Sequence, residues 1–392
     1  MPTPLRDDPI AAGARAVVAR LRGAGYQALW AGGAVRDRLL GLAPKDYDIA
    51  TDAEPDEVAE LFDRSVPVGA QFGITRVIHD GREYEIARFR AEGPREDALH
   101  RDFTINGLLY DPMEDDLIDH VGGRADITAR RLRACGDDPE GRFSEDWLRV
   151  LRGVRFAAQL DLEIEAGTWA AMRRHAARVL ETSAERRRDE LARILTGPAP
   201  ARAFAMLTEL GLTCALLPEV VDLDRATSRL AHLRGAEEGA AWAALGFDWE
   251  APTETAQTLG RRLRLPTRLA RQLGAAAELA RSATSYTGFG VAERKRWTRD
   301  DAAPWAREAL RTAVAAGQVE AAQLDAAMAD ADRWTPEDLR PAALVDGRDL
   351  ARAGHRPGPA FRVLLEAIED AQLEGRVTDR EAALALIPPP TE

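Results

Sequence analysis

A chain of 392 residues with 45% hydrophobic and 30% charged side chains can bury a substantial core in two to four structural units, and its composition excludes a disordered polyelectrolyte. Its net charge of −12 excludes a nonspecific polyanion binder, so any nucleic-acid contact must rest on a local basic surface; all but two of its 53 basic side chains are arginines, the exceptions being Lys45 and Lys295. Cys135 and Cys214 are isolated and offer neither a disulfide framework nor a zinc site, no apolar run approaches a membrane span, and the N-terminal stretch lacks a basic-then-apolar signal pattern, so a cytoplasmic protein without membrane contact is expected.

In chain order, apolar residues at 10, 14, 17, 18 and 21 have helical spacing, and Gly23 and Gly25 end the first helix. Ala28, Leu29, Trp30 and Ala31 read as a buried strand. Gly32 and Gly33 then permit a tight turn and close backbone approach to a ligand. A short helix over 35–40 turns its N-terminal N–H groups to the same space, which favours an anion. Arg36 lies in its first turn, where the helix dipole disfavours a cation; a bound phosphate would explain it. Past Pro44 the chain returns as a second strand carrying Asp46 and Asp48. Residues i and i+2 of a strand share a face, so both carboxylates project together while Tyr47 and Ile49 turn inward. Paired carboxylates repel, and one pKa rises unless a cation sits between them. Hard oxygen ligands beside a phosphate-binding turn point to Mg²⁺, which can activate an attacking hydroxyl and stabilise a leaving oxygen. Each motif alone is an ordinary turn or strand end; their order, with an arginine between them, is far more specific. A helix begins at 52–54 before Pro55. Residues 75–79 and 83–90 alternate around Asp80-Gly81, a hairpin signal. Glu85 on its second strand is either a third carboxylate near the metal or a solvent-facing residue.

The ordered set Gly-Gly-Ala-Val-Arg-Asp (32–37) and Lys-Asp-Tyr-Asp-Ile-Ala-Thr (45–51) resembles the signature of the nucleotidyltransferase superfamily typified by DNA polymerase beta. Within it, the chain looks like the class II tRNA nucleotidyltransferase and poly(A) polymerase family. The string His100-Arg101-Asp102-Phe103-Thr104-Ile105-Asn106 extends the likeness to a family Arg-Arg-Asp-Phe-Thr-x-Asn motif. By that resemblance Arg101 contacts nucleotide and Asp102 lies near the ribose, while His100 replaces the usual first arginine. The loop Asp119-His120-Val121-Gly122-Gly123 departs from a family Asp-Pro-x-Gly-Gly pattern by losing the proline that would stiffen it.

From Gly122 onward strand signals stop and helical spacing dominates. Across 142–160 it continues unbroken, placing Asp146 and Arg149, i and i+3, on one face. Alone this pair is an ordinary intrahelical ion pair. As a template it has a definite chemistry: cytosine and adenine each present an amino donor beside a ring-nitrogen acceptor, whereas guanine and uracil present the reverse. A fixed carboxylate beside a fixed guanidinium therefore fits the first two and mismatches the others. The resemblance assigns the same role to Glu-Asp-x-x-Arg, and it places Arg152 and Arg155 on the incoming triphosphate or its base. Further helices are expected at 168–180 and 184–195, in a segment where sixteen arginines between 124 and 202 face thirteen acids. Gly197-Pro198-Ala199-Pro200 marks a junction. Helices at 201–210, 225–246, 253–264, 266–282, 290–299, 302–333, 359–374 and 379–386 complete the chain, and Val345–Pro359 loosely resembles an RNA-binding family tail.

The expected fold is α+β: a small mixed-sheet head (1–135), an all-α neck carrying the template (136–200), and an all-helical body and tail (201–392) that would bind tRNA. The resemblance implies template-independent CCA addition to tRNA 3′ ends, with CTP and ATP as substrates, CMP and AMP transferred, and pyrophosphate released. Poly(A) polymerase, CC-only or A-only addition, and a catalytically silent RNA-binding protein are the alternatives. The sequence carries no signal for oligomeric state.

Overall fold

The computed structural model describes residues 8–67, 73–90 and 92–389. The chain folds as two compact units, the first ending at Glu190 and including Leu210–Leu212, the second formed by Leu191–Glu209 and the residues from Thr213 onward.

The first unit is built on a seven-stranded mixed sheet. Its strands are β1 (Ala28–Ala31), β2 (Asp48–Thr51), β3 (Ser65–Pro67), β4 (Ile74–His79), β5 (Arg82–Arg88), β6 (Leu108–Asp111) and β7 (Asp116–Asp119), in the order β3-β4-β5-β2-β1-β6-β7. Only β2 and β5 run parallel; the other neighbours are antiparallel. Leu29, Ala31, Ala50, Phe89 and Leu109 form one buried cluster, with Ile118 packed against it. The β4–β5 hairpin turns at Asp80 and Gly81 with φ of 49° and 75°, the two left-handed residues that such a two-residue turn requires. The helix α1 (Pro9–Gly23) lies close to this sheet: a Cβ on Gly13 would overlap the Tyr84 ring, so only glycine fits there.

Two registers set up the site. Antiparallel pairing of β1 with β2 puts Ala31 opposite Asp48, so the glycine turn after Ala31 starts beside that carboxylate. Pairing of β1 with β6 puts Ala31 opposite Leu109, and the Gly32 amide donates to the Leu108 carbonyl at 3.1 Å. The 100–106 motif thereby arrives at the same turn. The helices α2 (Gly33–Leu39), α3 (Pro55–Leu61), α4 (Pro94–Leu99) and α5 (Gly123–Thr128) complete the head. The strands β6 and β7, and the small parallel pair β8 (Arg131–Leu132) and β9 (Glu163–Ile164), were not marked by the sequence pattern.

Beyond Gly136 come α6 (Pro139–Glu145), α7 (Leu148–Gln159), α8 (Ala166–His175) and α9 (Ala184–Leu195). The single helix expected over 142–160 is thus two. Asp146 is extended, with φ −159° and ψ 103°, and its carboxylate accepts from the Leu148 amide at 3.1 Å. That local bond competes with helix continuation.

The second unit is helical, with no strand among its described residues. Two long helices expected there are divided. Residues 225–246 form Leu223–Leu230 and Glu238–Leu245, and 302–333 form Ala303–Ala315 and Ala321–Arg333. In the second case Gly317 adopts φ 69°, and the Gly317 and Gln318 amides turn back to Val314 and Ala313, a glycine stop at the helix C-terminus. Among the described residues no helix is long and apolar enough to cross a membrane.

Candidate active site

Gly32 is strained for any other residue, with φ 69° and ψ −123°, and a Cβ there would stand 3.2 Å from Nη1 of Arg101. Arg101 is held from behind: its Nε and Nη2 donate to one oxygen of the buried Asp97 at 3.1 and 2.8 Å. Asp48 opens β2 half-buried, while Asp46 lies exposed just before the strand, which begins two residues later than the sequence pattern implied. Tyr47 and Ile49 are buried on the opposite side. Burial, then the Asp46 and Glu85 charges, push the Asp48 carboxyl up to about 6 against the pull of Arg101. An uncompensated pair of hard oxygen donors beside a glycine turn fits a divalent cation. Among the described residues no group of three His, Cys, Asp or Glu side chains is assembled for a metal. Glu85, exposed on β5, accepts from Arg76 at 3.2 Å.

Around the 100–106 motif the charged side chains form one connected chain. Arg36, buried in α2, donates from Nε to Asp37 at 2.8 Å and from Nη1 to Asn106 at 2.6 Å. Asp37 and Asn106 thus hold its guanidinium within the fold. Asn106 donates in turn to Asp102 at 2.9 Å, and Asp102 accepts from Arg152 at 2.8 and 2.6 Å. Burial alone would raise the Asp102 carboxyl, but the Arg152 charge and hydrogen bonds from Asn106, Arg152 and the Phe103 amide bring it down to about 2. Burial likewise opposes the Arg152 charge, yet Asp102, Glu190 and Asp146 hold its guanidinium above the ordinary range. Arg155 donates to buried Glu190 at 2.6 Å. The guanidinium carbons of Arg36, Arg152 and Arg155 lie 5.1, 5.3 and 4.1 Å from the Phe156 ring centroid. Three guanidiniums are thus gathered around one buried aromatic ring, each also paired with a carboxylate: Arg36 with Asp37, Arg152 with Asp102 and Arg155 with Glu190.

Asp146 and Arg149 do not pair with each other. Asp146 accepts from Arg186 at 3.2 and 2.7 Å. Arg149, buried, donates to the Arg142 carbonyl at 2.7 Å, Glu145 at 3.0 Å and the His100 carbonyl at 3.2 Å. The side chain of His100 itself is exposed, and its backbone carbonyl accepts from both Arg149 and Arg90, each at 3.2 Å. The loop after β7 also resolves. Asp119 accepts from the amides of Val121, Gly122, Gly123 and Arg124 at 3.1, 2.8, 3.0 and 2.9 Å, so side-chain bonds fix the loop without proline. A Cβ on Gly123 would overlap the Thr104 carbonyl, which packs this loop directly under the 100–106 motif.

Four residues of the site were not nominated from sequence. Asn106 and Asp97 were inside or beside the recognised motif. Phe156 follows Arg155 directly. Glu190 carried a usable signal, since it sits four residues before the buried Ile194 on α9, and a carboxylate at a buried helical position needs a buried cation.

Residues 28–133 match the family model described as "Poly A polymerase head domain", and residues 161–223 that described as "Probable RNA and SrmB- binding site of polymerase A". The CCA-adding enzyme of Levilactobacillus brevis is 34% identical over 95% of this chain and 96% of its own length. That of a Geobacillus species is 32% identical over 93% of each. Among solved structures, the Bacillus stearothermophilus CCA-adding enzyme in complex with CTP superposes with a TM-score of 0.83 at 27% identity over 97% of both chains. The Thermotoga maritima CCA-adding enzyme complexed with tRNA shares the fold, with a TM-score of 0.67 at 21% identity over 97% of this chain and 96% of that one.

Proposed function

This chain belongs to the family of CCA-adding enzymes, and from that premise we infer that it completes tRNA 3′ ends by adding CMP and AMP from CTP and ATP. The observation that best supports this reading is the joining, within one unit, of the Asp46–Asp48 pair beside the Gly32 turn and the arginines gathered on Phe156.

Enzymes of this family use a divalent metal; here Asp46 and Asp48 would hold Mg²⁺, which when bound lowers the pKa of an attacking hydroxyl and steadies developing negative charge. The remaining work falls to the chain itself. Arg101, Arg152 and Arg155, with the Gly32–Gly33 turn, bind the triphosphate and orient its α-phosphate. Asp102 and Asn106 hold Arg152 and Arg36 in place. The tRNA 3′ oxygen bonds to the α-phosphorus, the bridging bond to the β-phosphate breaks, the hydroxyl proton goes to solvent, and pyrophosphate leaves. Asp146 and Arg149 select the base, and Asp146 must exchange its Arg186 partner to do so. A cytoplasmic site of action follows from the substrates.

The test uses purified protein and tRNA lacking all, some or none of its three terminal nucleotides, with each nucleotide singly and in mixtures. Addition that stops at CCA is expected. Continued AMP addition to a completed end would make the enzyme a poly(A) polymerase, the activity in the name of the head-domain model. Arrest after two C residues, or addition of A alone, would make it a partial enzyme.

A further inference from the structure

The short turn from Asp97 to Arg101 gathers the guanidiniums of Arg90, Arg101 and Arg149. Arg90 and Arg149 both donate to the His100 carbonyl at 3.2 Å, and Arg101 follows directly. Burial, then the Arg101 charge, push the Arg90 guanidinium below its ordinary range, with Asp97 opposing. Asp97 itself is 1% exposed, inside the six-residue helix α4. Its Oδ1 accepts from the Arg90 amide at 3.2 Å, and its Oδ2 from Nε and Nη2 of Arg101 at 3.1 and 2.8 Å. A carboxylate needed only for the positive end of the helix has no reason to be buried. Glu96, with its side chain 40% exposed one residue earlier, already supplies that charge.

The consequence lies on the other side of the guanidinium. With Nε and Nη2 committed to Asp97, Nη1 is the one side-chain nitrogen of Arg101 without a partner among the described residues. It stands beside the glycine turn, 3.2 Å from where a Cβ on Gly32 would be. Ala31, the residue before that turn, is paired with Asp48, so the free nitrogen lies at the same end of the sheet as the carboxylates. A planar fork gripped along one edge presents its other edge in a single orientation, which a loose arginine repelled by Arg90 and Arg149 would not keep. We propose that Asp97 is a positioning residue for nucleotide capture: by gripping Arg101 from behind, it aims Nη1 at the triphosphate of the incoming nucleotide. This rests on the function proposed above, in which Arg101 binds that triphosphate.

Asp97→Asn keeps the shape of the side chain and removes its charge. CTP and ATP are titrated calorimetrically without tRNA, and the measurement is repeated in an Arg101→Ala background. Asp97→Asn is expected to bind both nucleotides about 5–20-fold more weakly, with no further loss when it is added to Arg101→Ala. In steady state the KM for CTP and ATP rises by a similar factor while kcat changes far less, and the choice among the four nucleotides stays as in the parent. Arg101→Lys serves where Asp97→Asn does not fold. Lysine keeps the charge pair with Asp97 but has one nitrogen in place of three, so it cannot both grip Asp97 and reach the turn; a loss of CTP affinity comparable to that of Arg101→Ala is expected. Three results overturn the proposal: an equal loss from Asp97→Asn in both backgrounds, a lowered melting temperature with parental CTP affinity, or near-parental affinity in Arg101→Lys. Should the parent protein bind CTP but add no nucleotide to tRNA, the proposed function fails while the binding cycle still decides the role of Asp97.

Discussion

Asp102 is the residue on which the charged network turns, because it is buried and yet ionised. Its carboxyl stands at about 2 in the folded chain against an ordinary 3.8. A depressed carboxyl contributes stability that is complete above its unfolded value and is lost as pH falls through the folded one. The window here runs from about pH 4 down to about pH 2, and the difference amounts to about 2 kcal/mol. Asp102→Asn should therefore be less stable than the parent at neutral pH, with the gap closing across that window when urea midpoints are measured at stepped pH. A gap that stays constant down to pH 2 would show that the Arg152 pair does not stabilise the fold. At Asp48 the sign is opposite: burial and the Asp46 charge raise its carboxyl, which costs stability, so Asp46→Ala or Asp48→Ala should abolish nucleotide transfer while leaving the melting temperature equal or slightly higher. Near-normal Mg²⁺-dependent turnover in either variant would refute their assignment as metal ligands.

At the scale of single elements, the β7–α5 loop and the α6–α7 junction make separate predictions. Asp119→Ala removes the acceptor for four backbone amides and should cost about 1 kcal/mol, as loss of a helix cap does. Asp119→Asn should recover most of that, because Val121, Gly122 and Gly123 all donate to Oδ1 alone. Equal melting temperatures for all three proteins would mean the loop is held by its packing on Thr104 instead. The α6–α7 junction bears on nucleotide choice. If Asp146 and Arg149 read the base, setting acceptor against acceptor and donor against donor with GTP or UTP costs about 1–3 kcal/mol for each unpaired group, a discrimination on the order of 10²–10⁴. Asp146→Ala and Arg149→Ala should each narrow it in single additions of all four nucleotides, whereas Arg186→Ala should spare it by freeing Asp146. Unchanged selectivity in the first two variants would leave Asp146 as a cap and ion-pair partner only. These elements also show what the sequence could carry. The hairpin was legible because Asp80-Gly81 names its own turn, and the carboxylate strand because alternation places Tyr47 and Ile49 inward. The break at Asp146 was not, because apolar spacing from Phe143 to Val154 runs on across it, and the partner that holds it, Arg186, lies forty residues away. Strands β6 and β7 were equally silent: each is four residues long and depends on pairing with β1 or its neighbour rather than on its own pattern.

For the whole molecule, the question is how a protein of net charge −12 engages a polyanion. Its many arginines do not all face a ligand. Arg262 pairs with Glu219 at 2.5 Å, Arg299 with Glu369 at 2.7 Å, Arg229 with Asp248 at 2.7 Å and Arg380 with Asp349 at 2.6 Å, so much of the positive charge is consumed within the fold. What remains for RNA is a small number of uncompensated groups set in a repulsive field. Each phosphate neutralised releases counterions and contributes about −0.9 to the slope of log affinity against log salt for a duplex. Contact through about three or four such groups gives a slope of roughly −3 to −4, or a loss on the order of 10²-fold between 50 and 200 mM salt. The surrounding acids penalise every phosphate that lies off these contacts, so unrelated single-stranded RNA should bind much more weakly than tRNA at the same salt. Anisotropy titrations of tRNA and of a length-matched unstructured RNA over that salt range test both statements. A slope near −8, or equal affinity for the two RNAs, would show a broad electrostatic surface that this charge distribution does not provide.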